Sequence, residues 1–429
     1  MWEDNRGKKI LFNILLVLLI LIIMGGLGYF MLKVRAENRA HDEELSEIYV
    51  QQQQQQTEAR QESLTAIDAE YQKDMQTVAD YMPGIVVWGD NTTAAVSGML
   101  NYPFVLQTYL NTYLCDIYDF SSTIENARDY ARLDWSKYTL KIPVVNMASG
   151  KESTYTIMGR AGVDPYVLSK DLVLPAAVED VDIHFTSTEG KTVTPLTGGD
   201  MGVNNVRIGG IEGKLSLNAE EYNKSGRFQY FFTRLEPGQE VTIPTGTAIE
   251  TAAENLYKDY VHVILIGMYG DYDNADDLVR QVKTLLARQT QNSERFIVLG
   301  PYTHYIHASS TSAMNAVDNA MLQAFGTRYI SIRKYLIGDG YTDAGISPTS
   351  EDKYYIAQEI VPPSFRVASH SEELNSLAHR LIGKLVYTRM ENLGYFDEIK
   401  TELNLTETTK QIIKDDPQYF ENIIKNTLK

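Results

Sequence analysis

The stretch VVWGDNTTAAVSG, residues 86–98, sets the terms on which the rest of the chain is read. Ile85, Val86, Val87 and Trp88 form a short apolar run, Gly89-Asp90 punctuates it, and small polar residues that start helices come next. A strand running through such a turn into a helix is where many hydrolases hold a serine nucleophile. Here the residue after Gly89-Asp90 is Asn91, and an amide does not attack a carbonyl. The chain either carries its nucleophile elsewhere or keeps the framework of an enzyme without its chemistry.

On either side of this stretch, Pro83-Gly84 ends a preceding helix, and the strand signal returns at IPVVN (142–146), VHVILIG (261–267) and RFIVLG (295–300). Between the last two, Leu278, Val279, Val282, Leu285 and Leu286 share one helical face. Apolar strands alternating with helices predict a parallel sheet covered on both faces. Residues 164–251 break this rhythm with period-two segments, Val181-Asp182-Ile183-His184-Phe185, 227–232 and 240–243, set between glycines and prolines. They predict an inserted antiparallel β module that serves packing or acts as a lid.

Ahead of all this, residues 10–32 are apolar or small except Asn13, and Arg6, Lys8 and Lys9 precede them. That length spans a bilayer, and the basic flank predicts a signal anchor with its N-terminus in the cytoplasm and the rest of the chain outside the cell. Residues 36–82 lack Gly and Pro and are rich in Glu and Gln, as suits a helical stalk. Leu64, Ile67, Tyr71, Met75, Val78 and Met82 give it an apolar face, for docking on its own domain or for a homo-oligomeric coiled coil. The expected organisation is a tail (1–9), an anchor (10–32), a stalk (33–82), an α/β domain in two parts (83–163 and 252–397) split by the β module (164–251), and a helical tail (398–429).

Composition narrows the function. A net charge of −17 with scattered Lys and Arg gives no electrostatic footprint for nucleic acid. Cys115 is the single cysteine, so no intrachain disulfide, CxxC pair or Cys-rich zinc site can form. No cofactor or metal is expected.

Taken together, four blocks make the chain resemble the SGNH (GDSL-type) hydrolase superfamily over residues 85–396. The resemblance implies a three-layer α/β/α sandwich around a parallel sheet. In that family the first block is Gly-Asp-Ser, matched here by Gly89-Asp90-Asn91. The second supplies an oxyanion-hole glycine, in a pattern like N-x-G-x-G-G-E-T. Here it reads Asn146-Met147-Ala148-Ser149-Gly150-Lys151-Glu152-Ser153, placing Lys151 at the glycine with Gly150 beside it. The third is Gly-x-Asn after a strand, and Tyr269 stands at the asparagine in Gly267-Met268-Tyr269. The last is Asp-x-x-His-Leu-Asn, and His370-Ser371-Glu372-Glu373-Leu374-Asn375 puts His370 at the acid and Glu373 at the base.

Acyl transfer needs an activated nucleophile, an oriented base and donors aimed at the oxyanion, and each of those positions has changed identity. The resemblance therefore implies a pseudoenzyme, with Asn91, Lys151, Tyr269, His370 and Glu373 converging on one cleft. A reversed His370–Glu373 dyad, or a metal held with Asp90, would need a water nucleophile or more ligands than are present. None of Ser97, Ser121, Ser122 and Ser369 sits at a strand–turn–helix elbow. Asp90, Asn91, Gly150, Tyr269, Tyr302 and His304 are the binding candidates, the last two in a loop after the fourth strand that could offer a platform to a sugar. The expected function is binding or assembly at the cell envelope, on a glycan or another envelope protein; the alternative is an active esterase or acyltransferase with relocated residues.

Overall fold

A computed structural model describes residues 4–94, 99–115, 137, 140–290, 294–302, 311–369 and 371–428. Two compact units divide the chain at Gln72 and Lys73. The first is a stretch of one helix, Asp4–Tyr81; no Gly or Pro interrupts residues 33–81. Among the described residues it is the one helix long and apolar enough to cross a membrane. Its side chains over residues 10–32 are exposed.

The second unit holds fourteen strands among its described residues, numbered in chain order: β1 Ile85–Gly89, β2 Val144–Asn146, β3 Tyr166–Leu168, β4 Leu172–Leu174, β5 Asp180–Ile183, β6 Phe185–Thr186, β7 Val206–Ile208, β8 Ile211–Leu217, β9 Tyr230–Arg234, β10 Val241–Ile243, β11 Ala248–Glu250, β12 Val261–Leu265, β13 Phe296–Leu299 and β14 Tyr329–Ile330. Five of them, in the order β14-β13-β12-β1-β2, make a sheet in which every pairing is parallel. The four strands expected from sequence all belong to it. The two-residue β14 carries no sequence signal, being too short to show a period.

Every residue of β1 and β12 is buried, so both faces of the sheet are covered. On one face Val86, Trp88, Ile264 and Val298 pack with Leu278, Val282 and Leu285 of the helix Ala275–Leu286 and with Val317 and Met321 of the helix Thr311–Phe325. The helix Tyr102–Leu110 packs along the helix Ser376–Asn392 and against β2.

The remaining strands form separate antiparallel sheets, β10-β4 and β5-β9-β8-β7-β11-β3-β6. The two ends of the second, β5 and β6, are halves of one strand broken only at His184, so the sheet closes on itself. Closure of an all-antiparallel sheet requires an even number of strands, and merging β5 with β6 leaves six. The inserted β module is thus a barrel, with Tyr166, Ile183, Ile208, Leu215, Phe232 and Ile249 in its core.

Candidate functional site

Sheet order locates the site. From β1 the chain steps to β2 on one side, passes through the barrel, and returns as β12 on the other side before moving outward. β1 and β12 therefore flank a switch point, where the ends of parallel strands leave a crevice. The loops there are Gly89-Asp90-Asn91 and 267–271, with the turn after β2 alongside.

Gly89 is required by the close approach of Thr93. A Cβ at position 89 would lie 2.2 Å from Thr93 Oγ1, which folds back from the short helix Asn91–Ala94. The Asp90 carbonyl accepts from Thr93 N (3.0 Å) and Ala94 N (2.9 Å), so the turn converts directly into helix. Asp90 itself is wholly buried. Thr93 Oγ1 is 3.3 Å from the Tyr102 hydroxyl, and the Tyr102 ring stacks on His379 at 6.5 Å. His379 is buried in the last helix of the sheet domain, and desolvation pushes its imidazole down to about 4. At neutral pH it is therefore uncharged.

The second block is wired to the first. Asn146 donates from Nδ2 to the Thr93 carbonyl (3.1 Å) and accepts from Ala148 N (3.0 Å), and Ser149 N donates to the Gly89 carbonyl (3.2 Å). Lys151 stands exposed with φ +61°, the left-handed region that favours glycine. The barrel covers the neighbouring Gly150. Thr197 Oγ1 donates to the Gly150 carbonyl (3.1 Å), and a Cβ on Gly198 would sit 2.1 Å from Gly150 N and 2.8 Å from Ser149 Oγ. Only a glycine at 198 allows that approach.

Glu152, next in the block, is buried and grips Arg160 with two bonds, Nε to Oε1 at 3.0 Å and Nη2 to Oε2 at 2.5 Å. Burial pushes its carboxyl up against the pull of Arg160. The Arg160 and Arg288 guanidiniums lie 5.2 and 5.0 Å from the ring of buried Trp88, a double cation–π contact beneath the Gly89-Asp90 turn. Burial pushes Arg288 down to about 10. Arg160 also donates to the Met201 carbonyl (2.9 Å), and its own carbonyl accepts from Thr251 Oγ1 (2.7 Å), so the same residue fastens the barrel to the sheet.

The third block meets the second where Thr154 donates from N to the Gly270 carbonyl (3.4 Å) and from Oγ1 to the Asp271 carbonyl (2.7 Å). Tyr269 in this loop is partly buried. Three blocks of the expected cleft are thus contiguous. Tyr302 is close by, its N–H donating to Met268 Sδ (3.4 Å), but it is 3% exposed. So little exposure leaves the Tyr302 ring closed to a sugar.

The last block differs from expectation as well. Glu373 is exposed, and its N–H bonds to Ser371 Oγ (3.1 Å). Leu374-Asn375 has a local structural reason: Asn375 Oδ1 caps the helix Ser376–Asn392 by accepting from Ala378 N (3.0 Å), and its Nδ2 donates to the carbonyls of Ser364 and Arg366. His379, one turn inside that helix, is the histidine that contacts Tyr102. His370, His304 and the Asn91 side chain lie outside the described residues.

Chemically, the described crevice offers a buried carboxyl, a neutral buried imidazole, an amide covered by the barrel and an exposed lysine. No group of three or more His, Cys, Asp or Glu able to hold a metal occurs among the described residues. No family model, curated protein or solved structure matches the chain.

Proposed function

We propose that this is a membrane-anchored protein whose α/β domain, a degenerate SGNH-like three-layer sandwich carried outside the cell, works in binding or assembly at the cell envelope and not in acyl transfer. The observation that carries this reading is the cover on Gly150. An oxyanion hole requires N–H donors open to an oxygen at about 2.7–3.1 Å. Gly198 lies so close to the Gly150 amide that a Cβ there would fall 2.1 Å from Gly150 N. Lys151, at the position of the family's glycine, is exposed. Asn91 supplies no nucleophile, and Glu373 supplies no imidazole. With Gly150 covered by Thr197 and Gly198, a glycan or an envelope protein would contact the barrel surface and the Lys151 turn.

The test is ester hydrolysis by the purified full-length chain in detergent, with short acyl esters as substrates. No turnover above buffer is expected, and Asn91→Ser should restore none, because the Gly150 amide is still covered and the imidazole beside Tyr102, His379, is buried. Turnover by the unmodified chain that vanishes on His370→Ala would overturn the reading in favour of an active esterase with relocated residues.

A further inference from the structure

On the far edge of the parallel sheet, beside β14, a cavity of about 550 Å³ opens between the helices Thr311–Phe325, Ile332–Ile337, Gly340–Ala344 and Ser376–Asn392. That volume lies within the usual range of small-molecule sites. Leu322, Tyr329, Ile330 and Leu385 give it apolar walls. Besides Asp318, its charged lining residues are two cations, Lys334 and Arg389, and two carboxylates, Asp339 and Asp343.

A third carboxylate, Asp318, is already neutralised. It is 2% exposed and accepts from Tyr329 OH (2.5 Å) and Arg333 Nη2 (2.5 Å). Lys334 Nζ stands 3.7 Å from Asp318 Oδ2 with its side chain half exposed, so it is tethered at the wall with donors to spare. Arg389 is held at the rim by Nη1 bonds to the carbonyls of Thr327 and Tyr329. Asp343 accepts from Tyr335 OH (2.7 Å), which fixes its carboxylate. Burial, Asp343 and Asp339 together push the Tyr335 phenol up, so both carboxylates act on one hydroxyl and form a single local patch.

We propose that this cavity binds a zwitterionic small molecule with an apolar side group, of the free amino acid or dipeptide class. Its carboxylate faces Lys334 and Arg389, its ammonium faces Asp339 and Asp343, and its side group lies on Leu322 and Leu385. A ligand of one sign would meet the matching pair and be repelled by the other, whereas a zwitterion complements both. The site is separate from the crevice at β1 and β12, so it stands whether or not that crevice is catalytic.

The experiment is calorimetric titration of the full-length chain in detergent with L-leucine and leucyl-leucine, each compared with N-acetyl-leucine and leucinamide, which keep one charge. Binding of a zwitterion that weakens about tenfold or more on acetylation and on amidation is expected, a loss of about 1.4 kcal/mol for each removed charge. Lys334→Gln and Asp343→Asn should each weaken it similarly while the unliganded melting temperature holds. Should Asp343→Asn unfold through its Tyr335 contact, exposed Asp339→Asn gives the same readout. Absence of binding at concentrations up to about 10 mM, equal binding of all four probes, or parental affinity in the folded variants would each overturn the proposal.

Discussion

Lys151 holds its place at the cost of backbone strain. A non-glycine residue in the left-handed region costs about 1–2 kcal/mol, and Lys151 sits there at φ +61° with an exposed side chain. Glycine would remove the strain but leave greater freedom in the unfolded chain, so Lys151→Gly should raise stability by about 0.5 kcal/mol in denaturant unfolding. A loss of stability instead would mean that the interactions of the lysine side chain outweigh the relieved strain. The opposite balance holds at Asp352, buried in the first turn of the helix Ser350–Ala357. Burial pushes its carboxyl up, but bonds from Ser364 (N at 3.0 Å, Oγ at 2.7 Å) and Thr349 (N and Oγ1, both at 2.8 Å) outweigh this and hold it down to about 2. A carboxyl depressed on folding stabilises fully above its unfolded value near 4, and that contribution fades as pH falls from about 4 to about 2. The parent should therefore lose about 2 kcal/mol more than Asp352→Asn between pH 5 and pH 2, read from denaturant midpoints at each pH. Parallel pH profiles for the two proteins would refute the assignment.

The elements divide by how local their causes are. β1, β12 and β13 were legible because a strand buried on both faces must be apolar throughout, and a run such as Val261-His262-Val263-Ile264-Leu265 says so without reference to any partner. Even buried His262 fits that run, since desolvation pushes its imidazole down to about 3 and keeps it neutral. The barrel was legible only as short alternating strands. Its closure depends on β5 pairing with β9 some fifty residues later while β6 pairs back to β3, and no sequence period encodes which strands are partners. The site was divided in the same way. The ends of β1, β2 and β12 follow from the strand order, but the Thr197-Gly198 cover arrives from 47 residues beyond Gly150 with no motif to announce it. Leu374-Asn375 misled for a related reason: a helix cap and a catalytic signature use the same asparagine, and here the cap accounts for it. If the barrel is a closed core and Arg160 binds it to the sheet, the two should unfold together. Phe232→Ala empties a fully buried position of that core and should cost about 3–5 kcal/mol, with the whole domain melting in one transition. Two separated transitions would show the barrel to be an independent domain.

Along the full chain, the charge and the hydrophobicity are segregated. An acidic chain of net charge −17 keeps a continuous apolar, exposed surface over residues 10–32, with Arg6, Lys8 and Lys9 at one end. In water such a surface would drive aggregation, since it exceeds by far the apolar patch a soluble monomer tolerates. In a bilayer it costs nothing, because the helix satisfies its own backbone and the length matches the hydrocarbon core. Residues 73–429 form a compact unit of their own, with a core that does not draw on the anchor. Removing residues 1–32 should therefore release a folded, soluble protein, whereas the intact chain stays with the membrane through alkaline carbonate washing. If the basic flank sets the orientation, protease added to intact cells should digest the residues after the anchor. A shortened chain that still pellets with membranes would place the attachment elsewhere, and protection of the C-terminal part in intact cells would reverse the orientation.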